Sequence, residues 1–346
     1  MSMAKTNPGR FFEDYTVGQV IAHAVPRTLS GGERALYHAL YPARHALYSS
    51  DAFAQSCGLP AAPLDDLIAF HTVFGKTVPD ISLNAVANLG YAEGRWHRPV
   101  WPGDTLRSES EVIGLKQNSN GKSGVVWVRT RGLNQKDEVV LDYVRWVMVK
   151  KRDLDAPAPE TVIPDLAKSV AAADLVVPEV LNFTNYDFTL AGEPHRWGDY
   201  EVGEIIDHVD GVTIEEAEHM QATRLWQNTA KVHFDATFRE DGKRLIYGGH
   251  VISMARALSF NGLANAQMIA GLNGGAHANP CFSGDTVRAW TEVLDKAETG
   301  APGVGALRLR LVAVKQGGVP GTLKGEDGKY LPHVLLDLDY WALMPL

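Results

Sequence analysis

The chain has 346 residues, enough for two domains of ordinary size, and its 45% hydrophobic and 21% charged content is that of a globular protein. A net charge of −8 without any basic run excludes a nucleic-acid surface. Two widely spaced cysteines, Cys57 and Cys281, exclude a disulfide framework and a cysteine zinc site, and no apolar stretch approaches membrane-spanning length. With no apolar segment near Met1 of the kind a secretory signal needs, the expectation is a cytoplasmic protein.

In chain order, Phe12-Glu-Asp14-Tyr-Thr-Val-Gly18 reads as a turn, and a helical stretch opens at Ser30. An irregular loop, Leu40-Tyr41-Pro-Ala-Arg44-His45, leads to an apolar helix carrying Leu64, Leu67, Ile68 and His71, with Pro63 near its start and Gly75 as its stop. Pro99-Val-Trp-Pro-Gly103-Asp104-Thr105 is a turn feeding strands. Val125–Thr130 and Glu138–Met148 read as an antiparallel pair turning near Asn134–Asp137. Residues 151–183, with Pro157, Pro159, Pro164 and Pro178 among alanines and charges, have the composition of a surface linker.

The second half repeats the first. Asp14-Tyr-Thr-Val-Gly18 returns as Asp199-Tyr-Glu-Val-Gly203, an offset of 185 that also carries His23 onto His208 and Thr28 onto Thr213. Pro99…Gly103-Asp104-Thr105 returns as Pro280…Gly284-Asp285-Thr286 at an offset of 181, and the Trp146 stretch returns at Trp341 at an offset of 195. Three matches in one order with drifting offsets indicate a duplication with altered loops. The domains are therefore expected at residues 10–150 and 184–346. In the second, Thr213-Ile-Glu-Glu216 has capping-box spacing, and Val251, Met254, Ala255 and Leu258 mark an apolar helix ending near Asn261-Gly262. Ala306–Leu311 alternates as a strand. One helix on a run of antiparallel strands, occurring twice, is an α+β chain.

Two neighbouring stretches carry chemistry. Asn228-Thr-Ala-Lys-Val-His233 offers a carboxamide and an imidazole five positions apart, and Tyr247-Gly248-Gly249-His250 is a glycine turn opening straight into a helix. Together they provide a water-orienting amide, a proton carrier and an oxyanion site. Asp104 and Asp285 read as turn residues, Arg308 and Arg310 as the solvated face of a strand, and His277 and the tryptophans Trp96, Trp146 and Trp341 as structural.

The helix followed by Pro-x-x-x-Gly-Asp-Thr and long antiparallel strands resembles the MaoC-like (R)-specific enoyl-CoA hydratases. That resemblance implies a double hot dog, each unit a bent antiparallel sheet wrapped around a central helix. The stretches SGGERALYHALYPARHAL, FGKTVPDISLNAVANLGYAEGRW, LIYGGHVISMARALSFNGLANAQMIAGLNGGAHANPCFSGDTV and VLLDLDYWALMP further resemble the branch acting on a methyl-branched, fumarate-like enoyl thioester. The family's Asp-x-Asn-Pro-x-His loop corresponds to Asn228…His233, with Asn228 at the aspartate position. The resemblance thus implies His233 as acid and base, Asn228 as a water-orienting amide, and Gly248, Gly249 and His250 as the thioester and oxyanion site. Anchored on His45, the first copy's loop has Leu40 at the partner position and is catalytically silent. Tyr41, Arg44 and His45 then stand as contacts for the substrate carboxylate or CoA. No metal or redox cofactor is implied, and the expected partners are an acyl-CoA substrate and further copies of the chain, as a homodimer. The competing expectations are a hot-dog thioesterase and a non-catalytic acyl-CoA-binding protein.

Overall fold

A computed structural model describes residues 5–346. In the first half, strand β1 (Val20–Thr28) is followed by helices α1 (Gly31–Leu40) and α2 (Asp66–Thr77) and by strands β2 (Ala85–Trp96), β3 (Thr105–Gln117), β4 (Ser123–Leu133) and β5 (Val139–Lys150). The second half repeats that order with β6 (Ile205–Thr213), α3 (Glu216–Leu225), α4 (Gly248–Leu258), β7 (Met268–His277), β8 (Thr286–Glu298), β9 (Val304–Lys315) and β10 (Val334–Pro345). All ten strands join one sheet in the order β1-β3-β4-β5-β2-β7-β10-β9-β8-β6. Matching β1–β5 to β6–β10 makes this order a palindrome, as a twofold axis between two like units produces. The seam is antiparallel pairing of β2 with β7, where Tyr91 faces Gly275 and Gly94 faces Leu272.

Every residue of α2 and all but the first of α4 are buried. A helix buried on all sides lies inside its domain, and here the bent sheet closes around each one. This is the double hot dog, and it puts the N-terminal turns of both helices deep in the molecule. Leu307, Leu309 and Leu311 of β9 point inward, as their alternation predicts. Arg308 and Arg310 are not simply solvated. Arg308 pairs with Asp339 at 2.6 Å and Arg310 with Asp337 at 2.7 Å, both across strands in two-point contacts.

Residues 151–183 contain little regular structure and are tied to both halves. Val162 bridges to Leu115 of the first. Val170 donates its N–H to Asn273 Oδ1 at 2.8 Å and accepts from Trp341 Nε1 at 3.0 Å in the second. No helix among the described residues is long and apolar enough to cross a membrane.

Two local expectations are corrected. Thr213 does not cap α3: its hydroxyl bonds Thr286 Oγ1 at 2.8 Å, as Thr28 bonds Thr105 at 2.7 Å, so it ends a strand and Glu215 takes the cap position. Ser30 does cap α1, accepting from Gly32 N at 3.1 Å. Gly75 does not stop α2, which runs through it to Thr77. A Cβ at position 75 would lie 1.7 Å from the carbonyl oxygen of Trp226, so this glycine marks a close approach between the copies.

That contact yields a test. Gly75→Ala forces a methyl group into backbone, and overpacking of this kind costs about 1–3 kcal/mol. We expect a lower urea midpoint with unchanged slope. An unshifted midpoint would show that the two copies are not held together there.

Candidate active site

A cavity of ≈310 Å³ lies between the two copies at the N-terminal end of α4. Its apolar wall includes Phe74 and Val78 of the first copy and Ile246, Val251 and Leu335 of the second. Asn88, Tyr91 and Arg145 enter from the first copy, while Asn228, His233 and His277 enter from the second. Cys281 also lines it, but burial pushes its thiol up to about 12, which removes it as a nucleophile. Among the described residues no group of three or more His, Cys, Asp or Glu side chains is placed to hold a metal ion.

The Asn228–His233 loop leaves the end of α3 through Gln227 at φ +56°, with Asn228 N donating to Thr223 O at 3.0 Å. Asn228 is buried, and its Oδ1 accepts from Ala230 N at 3.2 Å, starting the single turn Lys231–Phe234 that carries His233. Leu245 then binds this turn from both of its main-chain groups. Its N–H donates to Val232 O at 3.0 Å, and its carbonyl accepts from His233 Nδ1 at 2.8 Å. A carbonyl can only accept, so Nδ1 carries the proton and the neutral ring keeps its lone pair on Nε2. Burial lowers the pKa of His233 below the ordinary imidazole value, so the ring is a free base near neutrality.

Three further imidazoles support this one without competing for its proton. His219 accepts the N–H of Tyr247 on Nε2 at 3.0 Å, which pins the residue before α4. Burial and the neighbouring His250 and His233 press its pKa down to about 3. His277 bonds the Tyr91 hydroxyl at 3.1 Å and is pressed to about 4 by burial and by His233. His71 bonds Ser253 Oγ at 2.7 Å and the Tyr247 hydroxyl at 3.2 Å, and burial brings it to about 3.

The N–H groups of Gly248 and Gly249 open α4 and have no hydrogen-bond partner among the described residues. They are the orphan donors of a helix N-terminus, with the positive end of the dipole behind them. Glycine is required at both positions. A Cβ on residue 248 would lie 2.5 Å from His277 Cε1, and one on residue 249 would lie 2.4 Å from Tyr247 Cζ.

Asn228, His233 and Gly248 therefore line one cavity, and Gly249 sits one residue deeper. The other expected contacts are not brought to it. His250 is fully buried, with Nδ1 3.1 Å from the Tyr41 hydroxyl and Nε2 3.4 Å from Glu218. Tyr41 is buried against it, Arg44 is exposed over the Phe260 ring at 4.5 Å, and His45 accepts from Arg256 Nη1 at 2.5 Å. The reason is the twofold relation, which gives the first copy's loop a place of its own instead of a share of the second copy's cavity. At the first copy's helix the residue matching Gly248 is Asp66. Its Oδ2 accepts from the Tyr48 hydroxyl at 2.5 Å and from Ile269 N at 2.7 Å. Burial pushes this carboxyl up to about 7, and the space left beside it is ≈10 Å³. Sequence reasoning missed Asn88, Tyr91 and Arg145, and it read His277, which lines the cavity, as structural. Arg145 had a visible signal, a cation in the buried series Leu141, Tyr143, Arg145, Val147, Val149 of a strand.

The sequence profile of the family described as Mesaconyl-CoA hydratase matches residues 2–324. The chain is 80% identical over 341 residues to the mesaconyl-CoA hydratase of Cereibacter sphaeroides, covering 99% of each chain. It is 60% identical over 347 residues to the β-methylmalyl-CoA dehydratase of Chloroflexus aurantiacus, again with 99% of each covered. The crystal structure of a MaoC domain protein dehydratase from Chloroflexus aurantiacus superposes with a TM-score of 0.96 at 60% identity, covering 99% of both chains. A double-hot-dog protein of Mycobacterium tuberculosis, Rv0216, shares the fold at a TM-score of 0.77 and 24% identity, with 97% and 98% of the two chains covered. This chain belongs to the mesaconyl-CoA hydratase family.

Proposed function

We propose that the chain interconverts mesaconyl-CoA and β-methylmalyl-CoA by adding water across the conjugated double bond, with His233 as the acid and base. The observation that carries this is the bond from His233 Nδ1 to Leu245 O, which leaves Nε2 basic in the cavity shared with Asn228 and Gly248.

Each step has a group for it. Asn228 holds a water by its amide, and His233 Nε2 takes a proton as the water oxygen bonds the β-carbon. The π electrons move to the thioester oxygen, and the N–H groups opening α4 stabilise the resulting enolate. The protonated imidazole then delivers its proton to the α-carbon as the carbonyl re-forms. A carboxamide neither gains nor loses a proton near neutrality, so Asn228 only positions. In this reading residues 184–346 carry the chemistry, residues 10–150 close the cavity, residues 151–183 link them, and the chain works as a homodimer.

Incubation with mesaconyl-CoA should bleach the enoyl chromophore with no release of thiol. Free thiol appearing at the same rate would make the chain a thioesterase. His233→Ala is expected to lose about 10²–10⁴-fold in kcat, and Asn228→Ala about 10-fold through one lost hydrogen bond. A His233→Ala enzyme of normal rate would overturn the assignment, and so would a rate abolished by a metal chelator.

The pH dependence has a definite sign. The base must be neutral, and burial lowers its pKa, so kcat/KM should be flat near neutrality. It should fall on acidification through a pKa below the ordinary value of about 6.5. A pH profile of kcat/KM with its acid limb above 7 would rule out His233 as the base. Gly248→Ala, which drives a methyl into the His277 ring, should lower kcat about 10²–10³-fold if an oxyanion donor is displaced. Single-turnover kinetics at saturating substrate separates that loss from weaker binding.

A further inference from the structure

We propose that Arg145 grips the free carboxylate on the substrate's β-carbon, and so selects dicarboxylic enoyl thioesters over simple ones. The proposal rests on the hydratase reading above and extends it to specificity.

Arg145 is 0% exposed and lines the cavity. Its guanidinium carbon lies 4.3 Å above the Phe74 ring, and Nη2 donates to Thr77 Oγ1 at 2.7 Å. Nε and Nη1 are buried with no hydrogen-bond partner, and the side chain forms no ion pair among the described residues. None of the cavity-lining residues is an aspartate or glutamate. A buried guanidinium has five N–H donors and cannot shed its charge, so leaving it unpaired is costly unless an anion completes the site.

Burial decides which anion that is. The phosphates of CoA are carried on a bulky nucleotide, whereas Arg145 is fully buried, so the slimmer acyl end is the part of the substrate suited to reach it. The acyl anion of mesaconyl-CoA is its carboxylate. The Asn88 amide lies in the same lining, with both Nδ2 and Oδ1 buried and unpartnered, and supplies a second donor.

Strand register sharpens the case. On the working side Arg145 faces Tyr91, and Asn88 faces Val147. On the filled side Tyr340 faces Leu272, and Ile269 faces Ala342. Arginine, tyrosine and asparagine therefore stand where the closed copy carries tyrosine, leucine and isoleucine. The polar set accompanies the open cavity and is missing from the closed one.

The test uses saturated thioesters that cannot turn over: succinyl-CoA, with a carboxylate on the β-carbon, and butyryl-CoA, with a methyl group there. Calorimetry on the wild-type protein should show succinyl-CoA bound about 10- to 100-fold more tightly, the worth of a charge-assisted hydrogen bond. Arg145→Gln should abolish that preference while leaving the butyryl-CoA Kd within about threefold, which an intact fold requires. Arg145→Lys, which keeps the charge without the planar fork, should retain a reduced preference and serves if the glutamine variant does not fold. A wild-type protein without preference, or an equal loss for both thioesters, overturns the proposal; the latter would place Arg145 at the thioester. Because neither ligand has a double bond, this result is independent of the hydratase reading. That reading fails separately, if mesaconyl-CoA keeps its chromophore.

Discussion

A buried helix must satisfy the N–H groups of its first turn, and much of this molecule follows from meeting that demand in two different ways. In the first copy the demand is met internally. Asp65 accepts from Leu67 N at 2.8 Å, and the Asp66 carboxyl is enclosed by Tyr48 and Ile269. In the second copy Tyr247 and Gly248 occupy the matching positions, the cap has no side-chain acceptor, and the donors face a cavity. One fold therefore contains a sealed helix end and an open one. The open end presents unpaired donors to the cavity, where the proposed mechanism puts the enolate oxygen.

The seam between β2 and β7 explains why the sealed copy is still needed. Pairing across it brings β2 and β5 to the second copy's cavity, so Asn88, Tyr91 and Arg145 line it together with a loop more than 80 positions away in sequence. Gly75 serves the same end, since only a glycine lets α2 approach the Trp226 carbonyl just ahead of Asn228. The first copy has only ≈10 Å³ of space at its own helix end, and its strands form a wall of the second copy's cavity with Asn88, Tyr91 and Arg145 in the lining.

The duplication was legible because its signals are local: a repeated Asp-Tyr-x-Val-Gly turn, a repeated Pro-x-x-x-Gly-Asp-Thr turn, and strands that alternate. Asn228 and His233 could be singled out for the same reason, lying on one short loop, and both line the cavity. What failed was non-local. Tyr41, Arg44 and His45 were expected as substrate contacts because arginine can grip a carboxylate, whereas they pack against His250, Phe260 and Arg256, outside the cavity lining. Thr213 read as a cap because its rival partner, Thr286, lies 73 positions on. Arg145 is a cation on the apolar register of its strand, a signal the sequence reading passed over, and its target depends on which strands meet at the seam, which periodicity does not carry.

The histidines around the cavity differ in how their ring nitrogens are engaged. His71, His219, His233 and His277 surround Tyr247 and Gly248, and all are driven towards the neutral form by loss of hydration. Neutral imidazoles differ only in where the lone pair points. That of His219 is spent on the Tyr247 N–H, and His71 and His277 are engaged with Ser253 and Tyr91. His233 is fixed by a carbonyl, a partner that takes the ring's proton-bearing nitrogen and leaves the other one bare. Under the proposed assignment, what distinguishes His233 from the similar rings around it is its main-chain partner, the Leu245 carbonyl that is turned towards the loop.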